Sequence, residues 1–75
     1  MTQTQLLLHI QDAIQRDEPL TPQMPLVSLE EWDSLAIVSL ISLYDMHFGI
    51  TITGNTLREC QSVQDLIALV EDRLD

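Results

Sequence analysis

Glu31-Trp32-Asp33-Ser34-Leu35, followed without a break by Ala36-Ile37-Val38-Ser39-Leu40-Ile41-Ser42-Leu43-Tyr44-Asp45-Met46-His47-Phe48, decides how this chain folds. Asp is among the best helix N-caps, because its carboxylate accepts the orphan N–H groups of the first turn. With Asp33 in that role, Ser34 is free. Its hydroxyl sits in the first turn, where unsatisfied N–H groups and the macrodipole favour a phosphate. The stretch therefore predicts a helix from Ser34 to about His47 that opens on a serine well placed to carry a phosphate ester. With successive residues about 100° apart, Ile37, Val38, Ile41, Tyr44 and Phe48 fall on one face, the expected core stripe. The opposite face carries Leu35, Ser39, Ser42 and Met46, flanked by Ala36 and Leu43, and only Asp45 supplies charge. A small chain lacks the material to surround a helix that is apolar nearly all round. Some of Leu35, Leu43 and Met46 are therefore expected at the surface, where a stripe of apolar groups beside a special helix start suggests a docking surface.

Upstream, Leu6, Leu7, Ile10, Ala13 and Ile14 have the three-and-four spacing of a helical face, which predicts a first helix from Thr2 to about Arg16. Asp17-Glu18-Pro19 ends it, since proline disfavours helical geometry in the preceding residue. Residues 17–33, with Pro19, Pro22 and Pro25, form a long connection that must pack on the core. Leu20, Met24, Leu26, Val27, Leu29 and Trp32 are its candidate anchors, Trp32 serving as a plug at the end of the bundle.

Downstream, Gly49 is a helix stop. Ile50-Thr51-Ile52-Thr53 alternates like a strand but has no partner, so it reads as an extended linker with Ile50 and Ile52 turned inward. Thr56 to Cys60 allows one short helical turn. Ser62 and Asp65 form a capping-box pattern ahead of Val63, Leu66, Ile67, Val70 and Leu74, which predicts a last helix from Ser62 to about Leu74. The fold class expected is all-α: three principal helices plus a short one in a single domain spanning 1–75.

The chain has 75 residues, with twelve acidic side chains against three arginines and a formal charge of −9. A chain of this size buries only about 60% of its unfolded surface, too little to enclose an active site. The charge argues against nucleic acid and anionic membranes as partners, favours basic protein surfaces and predicts a monomer. No apolar run is long enough to span a bilayer. Cys60 is unpaired and Met1-Thr2-Gln3 lacks the basic flank of a signal peptide, which together suggest a reducing, cytoplasmic setting.

Little catalytic chemistry is available. His9 and His47 lie on different helices with no cysteine or histidine at metal-ligand spacing, so they read as surface or edge residues and no zinc site is expected. Ser34 has no base at hand beyond the adjacent Asp33, and Glu30-Glu31 reads as a solvated acidic loop. Only Gly49 and Gly54 are present, so there is no glycine-rich phosphate loop. Cys60 reads as a buried, inert thiol. The residues thus point to a modified or docking-site serine. The competing reading is a small acidic helical interaction module in which the apolar stripe is the whole function and Ser34 merely starts a helix.

Asp33-Ser34-Leu35 opening an apolar second helix resembles the attachment motif of acyl carrier proteins and related thiolation domains. The likeness runs from about Leu29 through Phe48-Gly49-Ile50, the short third helix and Ser62-Val63, and Trp32 resembles a subset of stand-alone bacterial carriers. The resemblance implies that a phosphopantetheinyl transferase moves 4′-phosphopantetheine from coenzyme A to the Ser34 hydroxyl. The arm's thiol would then carry acyl or aminoacyl groups as thioesters, loaded by an activating ligase and consumed by a downstream transferase or synthase, while the carrier itself catalyses nothing. Asp33, Leu35, Ala36, Ser39, Leu43, Asp45 and Met46 would meet these partners. Ala36, Ser39 and Met46 stand where fatty-acid-type carriers usually place acids, and Arg58 makes the third helix less acidic than usual. These departures favour a specialised pathway over housekeeping fatty-acid synthesis, because charge steering to basic synthase patches is weakened.

Overall fold

The computed structural model describes all of residues 1–75. Four α-helices follow one another: α1 (Gln3–Ala13), α2 (Ser34–Phe48), α3 (Gly54–Glu59) and α4 (Val63–Ala68), with 3-10 turns at Leu26–Ser28 and Glu71–Arg73. The all-α bundle expected from the sequence is the fold observed.

Each helix start is written locally. Thr2 caps α1 in a reciprocal box with Gln5, Thr53 caps α3, and Ser62 with Asp65 forms the anticipated capping box of α4. The helix ends are less regular. The first helix stops at Ala13 rather than Arg16, because Gln15 turns left-handed at φ 58°. The Gln15 and Arg16 amides then reach back to the Asp12 and Gln11 carbonyls at 3.1 and 3.0 Å, a Schellman closure with glutamine where glycine is usual. Gly49 closes α2 as expected, left-handed at φ 67° with its amide on the Asp45 carbonyl. The last helix ends at Ala68, six residues short of the expected Leu74. The chain leaves helical geometry at Val70 (φ −130°, ψ 16°), whose side chain is completely buried.

The long connection packs on the core, as its length demands. Leu20, Leu26 and Leu29 are buried, and Met24 and Trp32 lie half-buried against the core. Val27, expected among these anchors, is 92% exposed at the tip of the 3-10 turn. Backbone pairing adds a second restraint. Leu26 donates to the Gln61 carbonyl at 2.8 Å, Val63 to Met24 at 2.9 Å and Gln64 to Pro22 at 2.8 Å. The connection is thereby stitched to the start of α4. Across its base, Arg16 reaches Glu31 at 3.0 Å and Glu18 at 3.4 Å.

The orientation of α2 differs from the expected one. Its buried residues are Ala36, Ile37, Leu40, Leu43 and Tyr44. Leu43, a candidate for the surface, faces the core, whereas Val38, assigned to the core stripe, is 61% exposed. The helix is apolar on every side, so spacing alone could not fix its rotation. The inward residues are those that meet α1 on one flank and α3 with α4 on the other. After α2, Ile52 is buried and Ile50 half-buried, so the extended linker turns inward as expected.

Candidate functional site

Asp33 caps α2 in an extended conformation (φ −134°, ψ −172°), and its Oδ1 accepts from the Ala36 amide at 2.9 Å. Its carbonyl takes the Ile37 amide at 3.1 Å. The amides of Ser34 and Leu35 are left with no protein acceptor, and the Ser34 hydroxyl makes no hydrogen bond within the chain. Ser34 is exposed. Two free N–H groups and the positive end of a four-turn helix therefore lie beside an exposed hydroxyl, an environment suited to a singly charged phosphodiester.

The approach to this serine is held from behind. Glu31, three residues upstream, is fixed by Arg16, whose side chain is largely buried. The guanidinium Nε of Arg16 has no acceptor, so both of its carboxylate contacts come through the terminal nitrogens. Sequence reading missed Arg16 as the clasp of the connection. The available signal was its standing as one of only three cations in a strongly acidic chain. Trp32 is half-buried against the core.

The other expected contact residues divide in two. Asp33, Leu35, Asp45 and Met46 are exposed and Ser39 is half-exposed, whereas Ala36 and Leu43 are buried in the core and reach the surface only at the floors of shallow hollows along the α1–α2 seam. Val38 joins the exposed set. Leu35 (70% exposed), Val38 and Met46 (74%) form an apolar ridge along the outer side of α2, starting one residue beyond Ser34. A shallow hollow between the end of α1 and the start of α2, walled by Gln15, Glu31, Asp33, Leu35 and Ser39, lies beside it.

No base addresses Ser34. The rings of His9 and His47 lie against one another at the α1–α2 seam, centroids 4.5 Å apart and tilted by 40°, near the far end of α2. They occupy the surface positions expected of them, in mutual contact. No group of three or more His, Cys, Asp or Glu residues is placed to hold a metal ion. Cys60, expected to be buried, is only half-buried at the end of α3 and donates to the Thr56 carbonyl at 3.5 Å. Desolvation, with Asp65 and Glu59 nearby, pushes its thiol pKa up, away from the reactive thiolate. The Ser34 hydroxyl is thus exposed, with no side chain of this chain hydrogen-bonded to it.

Residues 4–70 match the family described as the phosphopantetheine attachment site, so the chain belongs to that family. Its fold is similar to the solution NMR structure of a holo acyl carrier protein from Geobacter metallireducens, at 26% identity and a TM-score of 0.71, covering 91% of this chain and 79% of that one. No curated protein matches the chain. The prosthetic group of the family is 4′-phosphopantetheine, and its members are carriers of acyl groups rather than enzymes. The exposed hydroxyl and the two unpaired amides at the start of α2 fit the phosphodiester of that group. No helix is long and apolar enough to cross a membrane.

Proposed function

We propose that residues 1–75 act as one carrier unit in which Ser34 bears 4′-phosphopantetheine and the arm presents acyl or aminoacyl thioesters to partner enzymes. The carrying observation is Ser34 itself, an exposed hydroxyl beside two unpaired amides in a turn whose cap Asp33 already provides. A phosphopantetheinyl transferase supplies the base and metal that the site lacks. An activating ligase loads the arm, and a transferase or synthase unloads it.

The pathway is a specialised one rather than housekeeping fatty-acid synthesis. What supports this is the outer side of α2, where Leu35, Val38 and Met46 are exposed and only Asp33 and Asp45 are charged. Such a ridge recognises partners by apolar burial at its centre, with the two acids and Ser39 at its rim. The carrier works as a monomer, kept apart from its copies by its charge, in the reducing cytoplasm that suits the free Cys60 thiol.

Labelling tests the attachment. With a fluorescent coenzyme A analogue, magnesium and a broad-specificity transferase, wild type should take up label and Ser34→Ala should stay dark. Equal labelling of both would put the attachment elsewhere, and no labelling of folded wild type by any transferase tried would leave Ser34 a simple helix-start residue.

A further inference from the structure

Tyr44 is the only tyrosine of the chain and is completely buried. Its hydroxyl donates to the Leu66 carbonyl at 2.7 Å. Leu66 lies in the last turn of α4, where carbonyls run out of intrahelical donors. One hydrogen bond thus satisfies both the phenol and a helix-end acceptor inside the core. The ring also meets Phe48 edge-on, centroids 5.7 Å apart at 83°. Leu40, Leu57, Val63 and Ile67 are fully buried in the same core.

The hollows of the molecule all lie at its surface. Two follow the α1–α2 seam, one lies in the acidic connection around Arg16, and one lies over Cys60 between α3 and α4. None is lined by Leu40, Tyr44, Leu57 or Leu66. A hydrocarbon tethered at Ser34 can stay in water or enter the bundle. Entry into a close-packed interior needs space that some side chain must vacate. An aliphatic side chain can yield by changing rotamer. Tyr44 can yield only by abandoning its bond, which strands a hydroxyl and a carbonyl in apolar surroundings.

We propose that Tyr44, bonded across the bundle from α2 to α4, locks the interior against cargo, so that this carrier takes short or polar acyl groups and displays them in solvent. Long hydrocarbon chains, which gain most from shelter, are the substrates it is not built to hold. The inference rests on the attachment at Ser34 proposed above.

The test compares two cargoes on two proteins. A transferase that accepts acyl-coenzyme A loads acetyl- or octanoyl-phosphopantetheine onto wild type and Tyr44→Leu. In that step the Ser34 Oγ–phosphorus bond forms, the pyrophosphate bond of the donor breaks, adenosine 3′,5′-bisphosphate leaves, and the transferase's base takes the hydroxyl proton. Intact mass verifies loading before melting temperatures are read. The acetyl and octanoyl forms of wild type should melt within about 2 °C of each other. In Tyr44→Leu the octanoyl form should melt more than about 5 °C above the acetyl form, as expected when several methylenes become buried. An octanoyl chain that stabilises wild type by that margin would overturn the proposal. If Tyr44→Leu does not fold, the NMR shifts of the Tyr44 ring and the Leu57 and Leu66 methyls in wild type decide alone. They should be the same in both loaded forms, and displacement by the octanoyl chain overturns the lock. A wild type that gains no mass would overturn the Ser34 attachment beneath it instead.

Discussion

Asp33 and Tyr44 each satisfy a helix end, one at the surface and one in the core, and their removal should look different. Asp33→Ala deprives the Ala36 amide of its acceptor and should cost about 1 kcal/mol. For a chain of this size that lowers the thermal midpoint by roughly 4–8 °C, followed by circular dichroism. An unchanged midpoint would mean that water replaces the cap at no cost. At Tyr44, burial pushes the phenol pKa far above its ordinary value, so the folded protein keeps a proton that the unfolded chain loses near pH 10. A group with a raised folded pKa contributes stability below its unfolded pKa and loses it as the pH climbs towards the folded value. Wild type should therefore lose stability above about pH 10, with phenolate absorbance appearing only on unfolding. The half-buried Cys60 thiol, raised for the same reason, adds in the same direction from somewhat lower pH. Tyr44→Phe in a Cys60→Ser background should show a much flatter alkaline limb. A phenolate signal in protein that is still folded would contradict the buried bond.

Among the elements, α2 carries both the proposed attachment residue and the proposed recognition surface, and its two faces were not equally legible. Its start could be read from Asp33 and its stop from Gly49, because caps depend on one or two residues and on local geometry. Its rotation could not, because apolar residues surround the helix and the neighbouring helices decide which of them face inward. Hence Leu40 and Leu43 are core, while Val38 is surface. The same distinction explains α4, whose capping box was visible at Ser62 and Asp65 but whose early end depends on the burial of Val70. Arg16 was hidden for a related reason, since a clasp over fifteen residues leaves no periodic trace. The exposed ridge leads to a prediction at this scale. Val38→Glu and Met46→Glu should each lower kcat/KM for loading by the cognate ligase about tenfold, a loss of about 1.4 kcal/mol. Both variants should keep the wild-type melting temperature, because neither side chain is buried. Charging rates equal to wild type in both variants would remove the ridge from the recognition surface.

For the molecule as a whole, twelve acidic side chains against three arginines leave a formal charge of −9, and one of those arginines closes the long connection. Mutual repulsion among surface carboxylates is screened within about 10 Å at 0.1 M salt. The melting temperature should therefore rise between low and moderate ionic strength, and a value indifferent to salt would show that repulsion contributes nothing to the balance. The same molecule, with a solid core, a free helix start and no catalytic group beside its serine, has one central requirement. The proposed carrier function requires Ser34 to be the point of attachment. The most direct measurement is the intact mass of the chain after co-expression with a phosphopantetheinyl transferase, with fragment mapping and Ser34→Ala in parallel. The expected result is a gain of one phosphopantetheine that maps to Ser34 and is absent from the variant. A folded wild type that gains nothing, or a variant that gains the same mass, would contradict it.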